Sequence, residues 1–292
     1  FKLLKKEKTP VLLKLHNFRY FCSKSYLIKK HLKGDNFCKA CGLEKKSHHF
    51  FNKYFNESYL KSLYLVHFGK KFFKIIKSSN FKILVLTNFH KNYLEELNIQ
   101  PTRIFILYNF LKTRNLERKK INEKFILYAG RISKEKGVQE LITSHADSKL
   151  NHITLKIIGD GPNLDNLRER YKNYNVDFLG FLDNETVKRY INNAYFVVTA
   201  TKLFEGQPTF LCEASALGIP AIFPDSGGIS EFFPKNSPLM FRQYDYQDLT
   251  KKFNLAENYE LLKEIGISNQ IYINELLKEN SILEKLELIL DE

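Results

Sequence analysis

The segment from Phe204 to Glu231, FEGQPTFLCEASALGIPAIFPDSGGISE, constrains this chain more than any other. It follows an apolar, strand-like run, AYFVVTA, from Ala194 to Ala200. Glu205 then falls in a loop, and Glu213, eight residues on, lies inside an apolar helix-like run that ends at Gly218. A second strand-like run covers Ile219 to Pro224, and Gly227-Gly228 leads to a further acid, Glu231. Strand, acidic loop, helix, strand, Gly-Gly turn and helix in that order predict a parallel sheet with crossover helices. Ligands of such sheets meet the loops at the carboxyl ends of the strands. Carboxylates there suit hydroxyl groups and helix N-termini suit phosphates, so the expected ligand is polyhydroxylated and phosphorylated.

The rest of the chain extends the alternation. Pro10–Leu15, Ile83–Leu86 and Ile104–Leu107 read as strands, and Tyr59–Lys77 and Asn88–Leu97 as helices. Residues 17–57 are irregular, with Gly34, Asp35, Asn36 and Gly42 as turn formers. The polar, charged stretch TRNLERKKINE, 113–123, reads as a linker. A second series follows, with strands at 125–129, 154–158, 176–179, 194–199 and 221–223. Helices are expected at 137–147, 162–173, 184–192, 208–217 and 228–232. The stretch 247–292 reads as a helical tail, with Glu279-Asn280-Ser281 as a break. The expected division is a domain over 1–112, the linker, a second domain over 124–270 and the tail over 271–292.

The 292 residues carry a net charge of +14, unevenly placed. Residues 1–121 hold 27 Lys/Arg against 7 Asp/Glu, and the remainder 19 against 25. Basic residues are diffuse and no nucleic-acid motif accompanies them, so no nucleic-acid partner is expected. An anionic membrane surface or an anionic lipid-linked acceptor fits the basic half better, beside the alternative of a solvated Lys-rich surface. Tyr59–Lys77 is amphipathic and carries Lys61, Lys70, Lys71, Lys74 and Lys77. No run of 18 apolar residues and no signal peptide is present, so the chain is expected in the cytoplasm, peripheral at the inner face of the membrane. Nothing in the sequence sets the oligomeric state.

Two loops carry candidate phosphate chemistry. Gly130-Arg131-Ile132-Ser133-Lys134-Glu135-Lys136-Gly137 follows the strand FILYA, which places Arg131 and Lys136 at a strand's carboxyl end. Their charges suit a diphosphate that gains charge as it leaves, and stand in for a metal where no acidic cluster is present. Gly159-Asp160-Gly161-Pro162 follows LKII and opens a helix, with glycines that admit close backbone approach. Cys22, Cys38 and Cys41, with His48 or His49 as a fourth ligand, have incomplete zinc-site spacing; reduced thiols and a disulfide are the alternatives. Cys212 reads as core.

Glu205-Gly206-Gln207-Pro208 with Glu213 and Gly227-Gly228-Ile229-Ser230-Glu231 resembles the E-x7-E signature of family-4 retaining glycosyltransferases. The Arg131–Lys136 and Gly159–Pro162 loops, Leu15-His16-Asn17-Phe18-Arg19 and Tyr108-Asn109-Phe110 resemble further motifs of that family, in its order. The resemblance implies a GT-B fold: α/β, two Rossmann-like doubly wound domains facing a cleft, here with an incomplete N-domain and a tail that crosses back to it. It implies transfer of a sugar from a UDP- or GDP-sugar to a glycan or lipid-linked acceptor, with retention and without metal or other cofactor.

Arg131 and Lys136 would then hold the diphosphate. Gly159 and Gly161 would border the nucleotide, with Phe181 and Leu182 near the base. Glu205 would accept hydrogen bonds from the donor sugar, while amides of Gly206, Gln207 and Thr209 donate to sugar or phosphate oxygens. Glu213 would clamp the ribose diol, with Glu231 in support, and His16 would face the donor sugar. The alternatives are a non-catalytic nucleotide-binding fragment and a sugar-nucleotide epimerase on the same scaffold.

Overall fold

The computed structural model describes residues 11–16, 58–111 and 124–291. The chain forms two compact units. One runs to Tyr108 and takes in Phe204–Gly206 and Glu284–Glu292; the other holds Asn109–Leu203 and Gln207–Leu283.

The first unit has a three-stranded parallel sheet in the order β1 (Leu12–Lys14), β2 (Lys82–Val85), β3 (Ile104–Ile106). Parallel strands need crossovers. Among the described residues, helix Asn88–Glu96 connects β2 to β3. The Thr87 side chain accepts from the His90 N–H and so stops the helix at its N-terminus. Helix Tyr59–Lys77 buries Phe72 and Ile76 with Ile83 and Val85 of β2. Arg103 donates to the carbonyls of Ile76 and Phe81, which completes the end of that helix. The described apolar side chains of this helix are divided between core and surface. Leu60 is 80% exposed and Tyr64 73%, and Phe68 is also exposed.

The second unit is built on six strands in the order β6-β5-β4-β7-β8-β9, all parallel: β4 Phe125–Ala129, β5 Thr154–Ile158, β6 Val176–Gly180, β7 Phe196–Val198, β8 Ala221–Asp225 and β9 Met240–Arg242. The order reverses between β4 and β7, the switch point at which doubly wound sheets open a crevice beyond their carboxyl ends. The strands at the centre read as unbroken apolar runs because both faces are covered. Helices Val138–Ala146 and Tyr246–Leu255 contribute Leu141, Ile142, Leu249 and Phe253 to that core.

Three elements differ from the sequence expectation. Met240–Arg242 is a strand that three residues without periodicity do not announce; pairing with β8 creates it. The expected helix at 228–232 is a single 3-10 turn, Ile229–Phe232. Phe232 and Phe233 turn into the core behind it, Phe233 stacking on Phe223 with centroids 3.8 Å apart. The tail is three helices, Tyr246–Leu255, Tyr259–Leu276 and Glu279–Asp291; the break expected at 279–281 falls at 277–278, and Glu279 starts the last helix.

Candidate functional site

The loops at the carboxyl edge of the six-stranded sheet are joined to one another by main-chain hydrogen bonds that run on past the strands. Gly130 N–H donates to Ile158 O at 3.0 Å, Ile132 N–H to Asp160 O at 2.8 Å and Gly159 N–H to Gly180 O at 2.8 Å. The Arg131–Lys136 loop, the Gly159–Pro162 turn and the Phe181–Leu182 segment therefore lie side by side. This contact explains the glycines. Gly159 has φ +136°, and a Cβ there would strike the Gly130 carbonyl; one at Gly161 would strike that of Ile132. What approaches these glycines so closely is neighbouring backbone. On the other flank Gly137, in the left-handed region at φ +67°, abuts the Ala200 carbonyl, and Lys202 N–H donates to Glu135 O at 2.9 Å.

Arg131 is exposed, and its carbonyl accepts from the Tyr128 hydroxyl at 3.0 Å. Lys136 is half-buried in the one-turn helix Lys134–Lys136. Between them Ser133 is buried, its hydroxyl without a hydrogen-bond partner. Phe181, 80% exposed, follows Gly180 at the end of β6. Leu182 is half-buried, and Asp183 caps the next helix by accepting from Thr186 N–H.

Helix Thr209–Ala216 begins at Pro208, and no side chain caps its N-terminus. Thr209 is exposed there. Glu213 is half-buried in its second turn, between the buried Leu211, Cys212, Ala214 and Ser215. Burial pushes the Glu213 carboxyl pKa up, against a weaker opposing pull from Lys188. Cys212 is fully buried core, and burial pushes its thiol up as well. Gln207 is held by its side chain. Asn109 N–H donates to Gln207 Oε1 at 2.7 Å, and Gln207 Nε2 donates to Asn109 O at 2.8 Å. Glu231 is half-buried on the 3-10 turn, where its carbonyl accepts from the Tyr272 hydroxyl.

In the first unit, His16 is exposed one residue beyond Leu15 at the end of β1. Glu205 and Gly206 are half-buried. Phe204 packs edge-on against Phe89 with centroids 5.1 Å apart. Cys22, Cys38, Cys41, His48 and His49, the candidate zinc ligands, lie outside the described residues, as do Asn17–Arg19 and the 113–123 linker. Among the described residues no group of three or more His, Cys, Asp or Glu could hold a metal ion.

Sequence reasoning missed the residues that fix the loop after β7. The Lys202 ammonium pairs with Glu140 at 2.6 Å, and the Lys202 carbonyl accepts from the Tyr244 hydroxyl and from Gln243 Nε2. Ser226 Oγ donates to Leu203 O at 2.8 Å. Each partner is 23 to 62 residues away, so no local signal could have found them.

A family model described as glycosyl transferases group 1 matches residues 110–271, just over half of the chain. TuaC of Bacillus subtilis (strain 168), named for a glycosyltransferase role in teichuronic acid biosynthesis, is 30% identical over 143 residues; these are 49% of this chain and 35% of TuaC. The sulfoquinovosyl transferase SQD2 of Arabidopsis thaliana is 28% identical over 147 residues, 48% of this chain and 28% of SQD2. The chain thus spans about a third of the length of these curated relatives.

Among solved structures, Anabaena HepE in complex with UDP-glucose superposes with a TM-score of 0.70 at 14% identity. That match covers 98% of this chain and 73% of HepE. A TarM mutant from S. aureus, crystallised with fondaparinux, alpha-GlcNAc-glycerol and UDP, gives 0.67 at 24% identity over 77% of this chain and 46% of TarM. At these identities the likeness is one of fold: α/β, GT-B, as the sequence led one to expect.

Proposed function

Because the chain belongs to the glycosyl transferases group 1 family, we propose that it works as a retaining, metal-independent glycosyltransferase on a nucleoside-diphosphate sugar. One observation carries the donor assignment. Glu213 is a half-buried carboxylate on a helix with an uncapped N-terminus, at the sheet edge that also bears the Arg131–Lys136 loop. An ionised carboxylate kept among apolar residues is costly unless something uses it, and a ribose diol offers it two donors. Arg131 and Lys136 take the diphosphate, and Gly159, Gly161, Phe181 and Leu182 border the nucleotide. Glu205 accepts from sugar hydroxyls, with the Gly206, Gln207 and Thr209 amides donating nearby and Glu231 and His16 in support.

In the reaction so read, the bond from the anomeric carbon to the diphosphate oxygen breaks while the acceptor oxygen bonds to the same face. The acceptor's proton passes to the departing diphosphate. Arg131 and Lys136 stabilise the charge that develops there. Solved relatives of this fold hold UDP or UDP-glucose, so a uridine donor is the first choice and a guanosine donor the second. TuaC is named for teichuronic acid biosynthesis, which favours a glycan or lipid-linked acceptor. The basic first unit would meet such an acceptor at an anionic membrane surface.

Calorimetry with UDP and GDP on the wild type and Arg131→Ala tests the donor site. Loss of one charge-assisted contact is worth about 1.5–3 kcal/mol, so the variant should bind about tenfold to a hundredfold more weakly, with EDTA of no effect. Affinity abolished by EDTA would overturn the metal-independent reading. Binding without turnover of any donor would favour a nucleotide-binding fragment.

A further inference from the structure

Every neighbour of Glu205 from 203 to 207 is held by a specific contact. The Leu203 carbonyl accepts from Ser226, Phe204 packs on Phe89, and the Gln207 amide pairs with the Asn109 main chain. Gly206 rests on the His90 ring. A Cβ at Gly206 would come within 2.6 Å of His90 Cε1 and 3.2 Å of its Nδ1. Contacts under 3 Å are too close for carbon, so only a residue without a side chain fits over this ring. The ring is enclosed: His90 is 2% exposed, and its main-chain N–H donates to Thr87 Oγ1 at the start of helix Asn88–Glu96.

We propose that His90 is a positioning residue, the floor against which Gly206 seats so that the Glu205 carboxylate is held in one place. The inference rests on the reading of Glu205 as the group that meets the donor sugar. Glu205 lies on a loop, where a carboxylate without such support samples many positions and loses orientation. A steric seat of this kind predicts a specific non-additivity: a methyl at Gly206 harms the protein only while the ring is beneath it.

The test is a double-mutant cycle of Gly206→Ala and His90→Ala on the full chain. Dissociation constants for UDP and UDP-glucose, and for GDP and GDP-mannose, give the sugar increment as their ratio. Gly206→Ala should lower that increment about tenfold. His90→Ala in the same chain should recover most of the loss. Amide exchange of the 203–208 segment, read without ligand, should rise in Gly206→Ala and return toward wild type in the double variant. Gly206→Ala without effect on either readout, or a double variant at least as impaired as Gly206→Ala, overturns the proposal. Glu205→Gln is the control for the premise. If it leaves the increment unchanged while exchange still shows the cycle, the role given to Glu205 fails and the seat stands.

Discussion

Glu213 is a residue whose environment is at odds with its charge. Apolar neighbours raise its carboxyl pKa, so the folded protein disfavours the ionised form. For a carboxyl shifted upward, stability is forfeited at neutral pH and regained as the pH falls through the raised value. Glu213→Gln should therefore melt at or above the wild-type temperature at pH 7, yet bind UDP about tenfold to a hundredfold more weakly, since a charge-assisted contact is worth roughly 1.5–3 kcal/mol. Scanning fluorimetry and calorimetry on the same samples read both numbers. A variant that is less stable and binds UDP unchanged would mark Glu213 as a structural residue. A carboxylate inside an apolar run such as FLCEASAL is conspicuous by itself, which is why this residue could be picked out from its local surroundings. Lys202 could not be, because its partners Glu140, Gln243 and Tyr244 come from distant parts of the chain.

At the scale of elements, helix Tyr59–Lys77 presents apolar side chains as well as cations on its exposed surface. Phe72 and Ile76 face β2, while Leu60, Tyr64 and Phe68 share their exposure with Lys71 and Lys74. Residues at 60, 64, 68 and 71 fall within one face at 3.6 residues per turn. Apolar side chains and cations on one exposed face suit an interface of lipid headgroups. Among the described residues no helix is long and apolar enough to cross a membrane. Co-sedimentation should show binding to anionic but not neutral vesicles, because each cation near an anionic surface is worth about 1 kcal/mol and salt screens it. Replacing Lys71 and Lys74 with Glu should abolish that binding, and equal partitioning of the variant and wild type would end the idea. The turns were more legible than the helix faces. Gly137 and Gly159 stand where positive φ is needed, and a glycine between a strand and a helix declares such a turn locally.

For the molecule as a whole, two buried histidines couple stability to pH. Burial lowers the pKa of His90 to about 4, and that of His145 is also lowered, chiefly by burial and against hydrogen bonds to Ile153 and Leu150. Both are favoured neutral when folded and take up protons near pH 6.5 when unfolded. Their contribution is therefore complete above pH 6.5 and is lost as the pH falls from there toward 4, with His90 accounting for on the order of 3 kcal/mol. Urea unfolding at pH 7.0, 5.5 and 4.5 should show this decline, and His90→Phe should flatten it. An identical decline in the variant would assign the acid sensitivity elsewhere.

The sequence by itself determined the repeated strand-to-helix rhythm, the glycine turns and the acidic and basic loops that end the strands, since each depends on contacts within about ten residues of chain. Only the tertiary structure decided that the order of strands reverses between β4 and β7, that Met240–Arg242 becomes a strand, and that His90 lies beneath Gly206. Those outcomes belong to pairs of segments far apart in the chain. Their energies arise from hydrogen bonding and packing across the fold, and neither partner carries a local mark of the other.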